Sequence, residues 1–410
     1  LVGWKEQLDP AGLAADPLAE MERLYIAVNR ACETDPATLE RARQELVKLQ
    51  RGDPENLAIW HEMIHRSQDQ FDTIYRRLGV RFDHTLGESF YNPRLQEVVR
   101  DLRDQGLARA SEGAIAVFFD DVPELKGQPA LIQKSDGAAN YMTTDLATLA
   151  YRLQTWNPDQ IIYVTDARQQ LHFKQLFTIF HRWHPQARCR LAHVWFGAIL
   201  AEDGKPFKTR SGENVKLADL LDEAEERAFR LVSEKNPDLD EGRRREIGRL
   251  VGLGAVKYAD LLPNRQSDYV FSWDKMLALN GNTAPYLQYA HTRIRSIFRK
   301  GAAAGAPPPG GISAGRLPVF VLATAAEVAL AKHLLNFGLV LEAVIGEHRP
   351  NYLCNYLYDL AGRFTAFYEI CPVLKASEPE RSSRLALCEL TGRVLAQGLA
   401  VLGIEAPEQM

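Results

Sequence analysis

The sequence is poor in cysteine and has no close pair of cysteines. Its 410 residues include five, and no Cys-x-x-Cys occurs. An odd and widely spaced set argues against a disulfide framework and against a zinc ribbon. This usage is typical of a reducing cytoplasm, which is the location we expect.

Long apolar runs are also lacking. Apolar stretches are interrupted well before about 18 residues, so we expect no membrane-spanning helix. Residues 1–6 show no initiator Met, no basic n-region and no apolar h-region, so the sequence is expected to start inside a longer protein. Neither sign of charge dominates, since 49 Lys and Arg stand against 53 Asp and Glu. That balance excludes a globally basic nucleic-acid binder but leaves room for a local basic patch.

The pattern that is present indicates helices in the first hundred residues. The segment 36–49 has apolar residues at helical spacing, and Thr38 is its expected N-cap. A second helix is predicted from about 57 to 78. After residue 217 the sequence again reads as mostly helical, apart from a Gly-, Ala- and Pro-rich stretch at 301–311 that we expect to be a surface loop.

Short apolar runs in the middle of the chain predict a sheet. Residues 114–119 are nearly all apolar, as expected of a strand buried on both faces. Residues 160–165 and 190–196 read as strands on either side of a helical run from about 171 to 182. Strand, helix and strand at this spacing predict a parallel α/β sheet, in which ligands bind at the carboxyl ends of the strands. The segments expected to carry chemistry are therefore 166–172 and 197–212.

One pentapeptide matches a zinc-peptidase pattern. His61-Glu62-Met63-Ile64-His65 is H-E-x-x-H, in which two histidines one helical turn apart bind zinc and the Glu acts as base. The alternative is a chance match on an amphipathic helix, and the next histidine, His84, lies beyond that helix. The zinc-peptidase hypothesis requires stoichiometric zinc that is lost on His61→Ala.

Two basic segments are candidates for contact with phosphate or RNA. The loop 203–212 carries Lys205, Lys208 and Arg210 after a predicted strand, a place where cations stabilise polyphosphate. The stretch 291–300 has four Lys or Arg, no acid and aromatic residues just before it, which is typical of a nucleic-acid face. Each segment also fits an ordinary solvated surface, and the residues alone leave both interpretations open.

Tyr141 and Asp145 are one helical turn apart. A carboxylate pairs a guanidinium in bidentate fashion, so the two residues can line a pocket for a cation. An N-cap role for Thr144 or Asp145 is an equally good structural interpretation.

Eight motifs spread along the chain point to one family. They are 87–91 (GESFY), 133–137 (QKSDG), 141–145 (YMTTD), 163–173 (YVTDARQQLHF), 208–212 (KTRSG), 281–293 (GNTAPYLQYAHTR), 355–360 (NYLYDL) and 384–388 (RLALC). Together they resemble the arginyl-tRNA synthetases, which are class I aminoacyl-tRNA synthetases, over essentially the whole chain.

The resemblance implies an α/β fold followed by an all-α part. The α/β part would be the second half of the Rossmann-like parallel-sheet catalytic domain, and the all-α part a helical anticodon-binding bundle. The expected domains are a helical connecting insertion (1–110), the second half of the nucleotide fold (111–212), a helical linker that contacts the tRNA stem (213–275) and a DALR-type anticodon-binding domain (276–410).

The resemblance also implies a reaction in two steps. The arginine carboxylate attacks the α-phosphate of ATP to give arginyl-adenylate and pyrophosphate, and the terminal ribose 2′-hydroxyl of tRNA(Arg) then takes the arginyl group. The implied partners are L-arginine, ATP with Mg²⁺, and tRNA(Arg). The implied enzyme is a cytoplasmic monomer that needs no membrane.

Site residues follow from the matching motifs. Glu88, Tyr141 and Asp145 would surround the substrate guanidinium, and Gln169 would orient the amino acid. Two carboxylates select arginine over lysine, whose ammonium cannot use a planar fork. The other expected site residues are Lys205, Lys208 and Arg210 for catalysis at the ATP phosphates, His193, Phe196 and Lys208 for ATP binding, and Gln288, Tyr289, His291, Arg293 and Tyr356 for tRNA.

The sequence departs from the family at one important point. The first class I signature, His-Ile-Gly-His or a close variant, is absent from the 410 residues. The match corresponds to the C-terminal two-thirds or so of such an enzyme, so we expect the isolated chain not to make adenylate at a normal rate. The alternative is a non-catalytic tRNA-binding fragment or paralogue that kept the anticodon domain.

Overall fold

A computed structural model describes residues 1–201, 203–205, 216–303 and 320–410. Within these residues the chain forms two compact units, Leu1–Thr85 and Leu86–Met410. The first unit is shorter than the helical insertion expected over 1–110. The difference arises because Val98, Val99 and Leu102 are buried in the core of the second unit.

The first unit consists of helices only. They are α1 (Val2–Gln7), α2 (Pro10–Ala15), α3 (Pro17–Thr34), α4 (Pro36–Gln50) and α5 (Pro54–Arg77). Four of them begin with an aspartate N-cap followed by proline, which combines a side-chain acceptor for the free N–H groups with a preset φ. The predicted N-cap Thr38 is wrong, because Asp35 caps α4. Thr38 lies three residues inside the helix and donates its Oγ1 hydrogen to Asp35 Oδ2 at 2.6 Å.

The second unit begins with mixed structure and continues as helices. Its strands are β1 (Ala108–Ser111), β2 (Ala114–Val117), β3 (Ala130–Gln133), β4 (Gln160–Asp166), β5 (Arg190–Phe196), β6 (Ile199–Leu200) and β7 (Tyr269–Val270). Its α-helices are α6 (Leu95–Asp104), α7 (Tyr141–Trp156), α8 (Gln170–Trp183), α9 (Leu217–Lys235), α10 (Glu241–Leu261), α11 (Trp273–Met276), α12 (Ala284–Ala303), α13 (Ala325–Leu335), α14 (Phe337–Glu347), α15 (Asn351–Ile370) and α16 (Glu380–Val401). Three 3₁₀ helices span Glu88–Arg94, Pro123–Leu125 and Ala167–Gln169.

The predicted parallel unit is confirmed for β4, α8 and β5. The two strands pair in parallel from Gln160 opposite Arg190 to Asp166 opposite Phe196. The run 114–119 does not join this sheet, because β2 is the middle strand of an antiparallel sheet with β1 and β3. Short apolar runs indicate burial, but they do not determine the direction in which strands pair.

The two faces of the β4–β5 pair differ. Ile161 packs against the buried side of α8, where Leu176 and Phe180 are fully buried. On the other face, Ile162 and Val164 are 45% and 64% exposed. Within the described residues, β4 and β5 therefore have one covered face and one open apolar face.

The helical part has a core of its own between α12, α13, α15 and α16, with Phe364, Phe367 and Leu387 among its buried side chains.

The segment Ala325–Glu347 is long and apolar enough to cross a membrane by length and composition, so the expectation that no such stretch exists is corrected at this place. One such segment is weak evidence for a span, and it is interrupted, because α13 ends at Leu335 and α14 begins at Phe337.

Candidate functional site

Tyr141 and Asp145, which are predicted to line an arginine pocket, lie on the first turns of α7 and meet one side chain of α8. Asp145 Oδ2 is 2.7 Å from His172 Nε2. The ring of Tyr141 stands edge-on to the ring of His172, with centroids 5.0 Å apart. Tyr141 is 65% exposed, so an aromatic ring and a carboxylate border an open site beside a largely covered imidazole.

The N-cap interpretation of Thr144 and Asp145 is wrong. Asn140 caps α7 by accepting from the N–H of Met142, and the Thr144 hydroxyl donates back to the Asn140 carbonyl. Asp145 lies one turn inside the helix, where its carboxylate is not needed by the helix terminus. Its carboxylate is consequently available to a cation.

The other two arginine candidates are exposed. Glu88 begins the 3₁₀ helix Glu88–Arg94, which packs on α7 through Phe90 against Tyr151, with ring centroids 5.1 Å apart. Gln169 ends the 3₁₀ helix Ala167–Gln169 at the carboxyl end of β4. Both side chains are accessible, and their contact with an amino acid stays a prediction.

His193 lies within the β4–β5 pair rather than at its edge. Its Nε2 is 2.7 Å from Thr165 Oγ1, and its ring lies 4.3 Å from the ring of Phe173. Burial, helped by the nearby Arg265 cation, lowers the pKa of His193, so the imidazole is neutral at pH 7.

A cavity of about 1210 Å³ lies along the open face of β4, from Gln160 to Asp166, and reaches the carboxyl ends of β4 and β5. Phe196, 46% exposed, lines it together with Asp166 and Arg168. Arg168 donates to Asp166 Oδ2 from Nε at 3.0 Å and from Nη2 at 2.5 Å, and this pairing lowers the pKa of the carboxyl group. A flat apolar wall next to polar groups suits a nucleotide, whose base stacks while its ribose and phosphates are hydrogen-bonded.

The basic phosphate loop is described only at its start. Lys205 is exposed, and its ammonium is 3.6 Å from the Asp203 carboxylate. Lys208 and Arg210 lie outside the described residues. Which of the three cations contacts phosphate stays a prediction.

Gln288 and His291 hold the C-terminal segment inside the protein. Gln288 is fully buried and donates to the carbonyl of Glu405 at 2.8 Å. His291 is 4% exposed, and its Nδ1 is 3.0 Å from the Pro407 carbonyl. The prediction that these two side chains contact tRNA therefore disagrees with this structure, since the Gln288 amide nitrogen and His291 Nδ1 are bound to the backbone of the tail.

Tyr356 is likewise a core residue. It is 5% exposed, donates its hydroxyl hydrogen to the His333 carbonyl at 3.1 Å and stacks on the His333 ring. Of the predicted tRNA residues, Tyr289 is 48% exposed, and Arg293 is half-buried with its guanidinium 4.8 Å from the ring centre of Tyr368. These two retain an accessible surface, so their contact with RNA stays a prediction.

The H-E-x-x-H motif on α5 is occupied by local ion pairs. Glu62 accepts from Arg66 at 2.6 Å, and His65 lies 3.5 Å from Asp69. Across the described ranges, no three His, Cys, Asp or Glu side chains come together in a way that could hold a metal. The geometry favours the chance-match interpretation over a zinc site.

Sequence reasoning missed two residues that organise the site. His172 connects Tyr141 and Asp145, and the only available signal was its position three residues after Gln169 in the same motif. Arg265 donates to the Trp195 carbonyl at 2.7 Å and so fixes the end of β5 from a distance of 70 residues in sequence. No local pattern in the sequence indicates that contact.

Two family models together match most of the chain. The model described as tRNA synthetases class I (R), catalytic domain, matches residues 1–273, and the model described as DALR anticodon binding domain matches residues 287–410. The parallel β4–α8–β5 unit with an open carboxyl edge agrees with the first of these. Fold and site thus define the protein as a class I aminoacyl-tRNA synthetase followed by an anticodon-binding domain.

Similar proteins specify the amino acid. Arginine–tRNA ligases of Klebsiella pneumoniae and Citrobacter koseri are 48% and 46% identical over 99% and 100% of this chain, which spans 70% and 71% of their lengths. The arginyl-tRNA synthetase structure of Thermus thermophilus superposes with a TM-score of 0.77 at 27% identity, over 95% of this chain and 69% of that one. The arginyl-tRNA synthetase structure of Plasmodium falciparum superposes with a TM-score of 0.76 at 30% identity, over 92% of this chain and 62% of that one. The chain belongs to the arginyl-tRNA synthetase family.

Proposed function

We propose that this chain provides the arginine pocket, part of the ATP site and the anticodon-binding domain of an arginine–tRNA ligase. The observation that carries the proposal is the grouping of Tyr141, Asp145 and His172 beside the carboxyl edge of a parallel sheet. A carboxylate fixed on a rigid helix is the group that recognises a guanidinium by charge and by paired hydrogen bonds.

The chemistry follows from this placement. A guanidinium bound at Asp145 anchors the far end of arginine, so that its own carboxylate can reach the α-phosphate of ATP at the β4–β5 edge. Attack forms the arginyl-adenylate anhydride, and pyrophosphate leaves. The 2′-hydroxyl of the terminal adenosine of tRNA then attacks the activated carbonyl, and AMP leaves. The residues position both reactants, which accelerates the first step by orientation.

ATP is expected to enter with Mg²⁺. No cluster of three candidate ligands exists among the residues that the structure describes. Mg²⁺ commonly retains water and binds through substrate phosphates with one or two carboxylates. The ion is therefore proposed as a companion of the nucleotide, where it would neutralise phosphate charge.

RNA recognition is proposed for the accessible part of α12 and its neighbours. Tyr289 offers an exposed ring for stacking, and Arg293 adds a cation beside the ring of Tyr368. A monomeric, cytoplasmic enzyme is the accompanying proposal.

The experiment that tests the arginine pocket is calorimetric titration of the 410-residue chain with L-arginine and with L-lysine. Binding of arginine but not lysine, lost in Asp145→Asn, is the expected result. Equal affinity for the two amino acids, or unchanged arginine binding in Asp145→Asn, would contradict the assignment.

A separate assay addresses adenylate formation. The 410 residues contain no His-Ile-Gly-His-like signature, so the chain by itself is proposed to bind arginine without ATP–pyrophosphate exchange at a normal rate. Robust exchange by the isolated chain would refute this part of the proposal.

A further inference from the structure

His172 is held more firmly than its neighbours in the candidate pocket. It lies on the first turn of α8 and points at α7, where its Nε2 meets Asp145 Oδ2 at 2.7 Å. Its side chain is 12% exposed, against 33% for that of Asp145. The imidazole thus forms the inner wall of a site whose outer edge is the exposed ring of Tyr141.

The second ring nitrogen determines which form of the imidazole fits. His172 Nδ1 is buried and has no hydrogen-bond partner among the described residues. A proton there would be a buried donor without an acceptor, which is costly. The first turn of a helix also disfavours a cation. Because Nδ1 lacks an acceptor in the part of the chain that the structure describes, the hydrogen lies on Nε2 and is donated to Asp145.

This tautomer has a direct consequence for charge. A neutral donor orients the Asp145 carboxylate but leaves its negative charge intact, whereas a Lys or Arg in the same place would neutralise it. Oδ2 is occupied by the imidazole, and Oδ1 has no partner in the described part of the chain. The carboxylate therefore presents a full charge and one fixed, open oxygen to a cation that enters beside Tyr141.

We propose that His172 is a positioning residue for the substrate guanidinium, acting through Asp145 and Tyr141. Its Nε2–H locks the carboxylate, and its ring supports the edge of Tyr141, so that a planar guanidinium meets a preset acceptor. The proposal rests on the arginine pocket proposed above. It adds a residue that makes no contact with substrate but determines how tightly arginine is held.

The test compares four variants of the 410-residue chain by calorimetric titration with L-arginine. His172→Phe keeps a ring and removes the donor, and His172→Asn keeps an amide that ends short of Asp145. His172→Gln places an amide donor near the position of Nε2. His181→Gln is the matched control, since His181 is an exposed histidine on the same helix.

We expect His172→Phe and His172→Asn to weaken arginine binding roughly tenfold or more, as for the loss of a hydrogen bond to a charged group. His172→Gln should bind within about threefold of the wild-type chain, and His181→Gln should be unchanged. Rescue by glutamine separates positioning from bulk packing. Wild-type affinity in both donor-less variants, or His172→Gln as weak as His172→Phe, would overturn the proposal.

Two further results keep the outcome unambiguous. If Asp145→Asn abolishes arginine binding while His172→Phe does not, only the role of His172 fails. If the wild-type chain does not bind arginine, the pocket and the proposal fail together. Imidazole ¹⁵N spectra of the wild-type chain near pH 7.5 provide an independent check: the Nε2–H tautomer supports the proposal, and a doubly protonated ring for His172 contradicts it.

Discussion

Arg265 donates from guanidinium Nη1 to the backbone carbonyl of Trp195 at 2.7 Å, and its guanidinium carbon lies 5.3 Å from the centre of the indole ring. The same side chain donates from Nε to the carbonyl of His348, the residue that ends α14, at 2.8 Å. Its own carbonyl accepts from the N–H of Gly197 at 2.8 Å. One residue therefore ties the end of β5 to the end of a helix in the C-terminal domain.

Removing this guanidinium should loosen the edge of β5. For Arg265→Leu we expect a loss of about 2 kcal/mol in the free energy of unfolding, since two part-buried carbonyls lose a charged donor. Urea denaturation measures that loss, and hydrogen exchange should show less protection at Trp195 and Gly197. Arg168→Leu is the control, because Arg168 is 90% exposed and an exposed ion pair contributes little to stability. Equal effects of the two variants would contradict the role of Arg265.

The close contact of α9 and α10 depends on glycine. A Cβ on Gly252 would lie 2.6 Å from the Ala224 carbonyl oxygen and 2.8 Å from the Glu225 nitrogen. Because backbone must shift to relieve the clash, Gly252→Ala should cost roughly 1–3 kcal/mol in thermal or urea unfolding. Gly362→Ala in α15, where a Cβ meets nothing within 4 Å, should be neutral or stabilising by up to about 1 kcal/mol. A neutral Gly252→Ala would show that the helices do not pack this closely.

The helical domain contains a buried ion pair. Arg384 Nε donates to Glu327 Oε1 at 2.6 Å, and Glu327 is fully buried and also caps α13 with Thr324. Arg384→Met should destabilise by roughly 3–5 kcal/mol, because it leaves an unpaired buried carboxylate. The double variant Glu327→Gln/Arg384→Met should recover part of that loss.

A surface pair near the start of α16, the helix that carries Arg384, provides the comparison. Arg381 donates to Glu378 at 2.8 Å with both side chains well exposed. Arg381→Met should change stability by less than about 1 kcal/mol. If chemical denaturation gives Arg381→Met and Arg384→Met similar losses, burial is not what makes the inner pair important.

His291 predicts a pH dependence of stability. Burial lowers its pKa in the folded protein, despite the opposing Pro407 carbonyl and Glu408 carboxylate and with the Arg295 cation nearby. The unfolded chain therefore takes up a proton as the pH falls through about 6.5, while the folded chain does not until lower pH. Stability should decrease from pH 7.5 to 5.5.

The measurement is urea unfolding of the wild-type chain and of His291→Asn at both pH values. The asparagine amide can still donate to Pro407 but does not titrate, so the decrease should be smaller in the variant. Protection factors for amide exchange at residues 405–410, which correct for the intrinsic rate, should fall at low pH in the wild-type chain only. If the free energy of unfolding decreases equally in the two proteins, His291 is not the cause of the pH dependence.

The local sequence pattern was sufficient to predict the β4–α8–β5 unit. The predicted bounds 160–165 and 190–196 agree with the observed strands, because continuous apolar runs on both sides of a 14-residue helix leave few alternatives. The grouping of Tyr141 and Asp145 was also predicted, since residues four apart share a helix face. The antiparallel pairing of β2 was not predicted, because the apolar run 114–119 does not determine which strands it pairs with.

Most of the wrong predictions from the sequence concern polar side chains. Gln288 and His291 look like surface residues in sequence, yet they are buried. Carbonyls of Glu405 and Pro407, more than 110 residues away, accept from the Gln288 amide nitrogen and from His291 Nδ1. The N-cap at Asp35 was missed because Thr38 is an equally suitable residue by type. In each case the decisive partner is distant or is chosen by backbone geometry.

Whether Asp145 recognises the guanidinium by its charge is tested most directly by measuring how strongly the Asp145 charge and the substrate charge interact. L-citrulline has nearly the shape of L-arginine but no cationic guanidinium. Dissociation constants are measured for both ligands with the wild-type chain and with Asp145→Asn. We expect the wild-type chain to prefer arginine by roughly tenfold or more and Asp145→Asn to lose most of this preference. The same arginine-to-citrulline ratio in both proteins would contradict it.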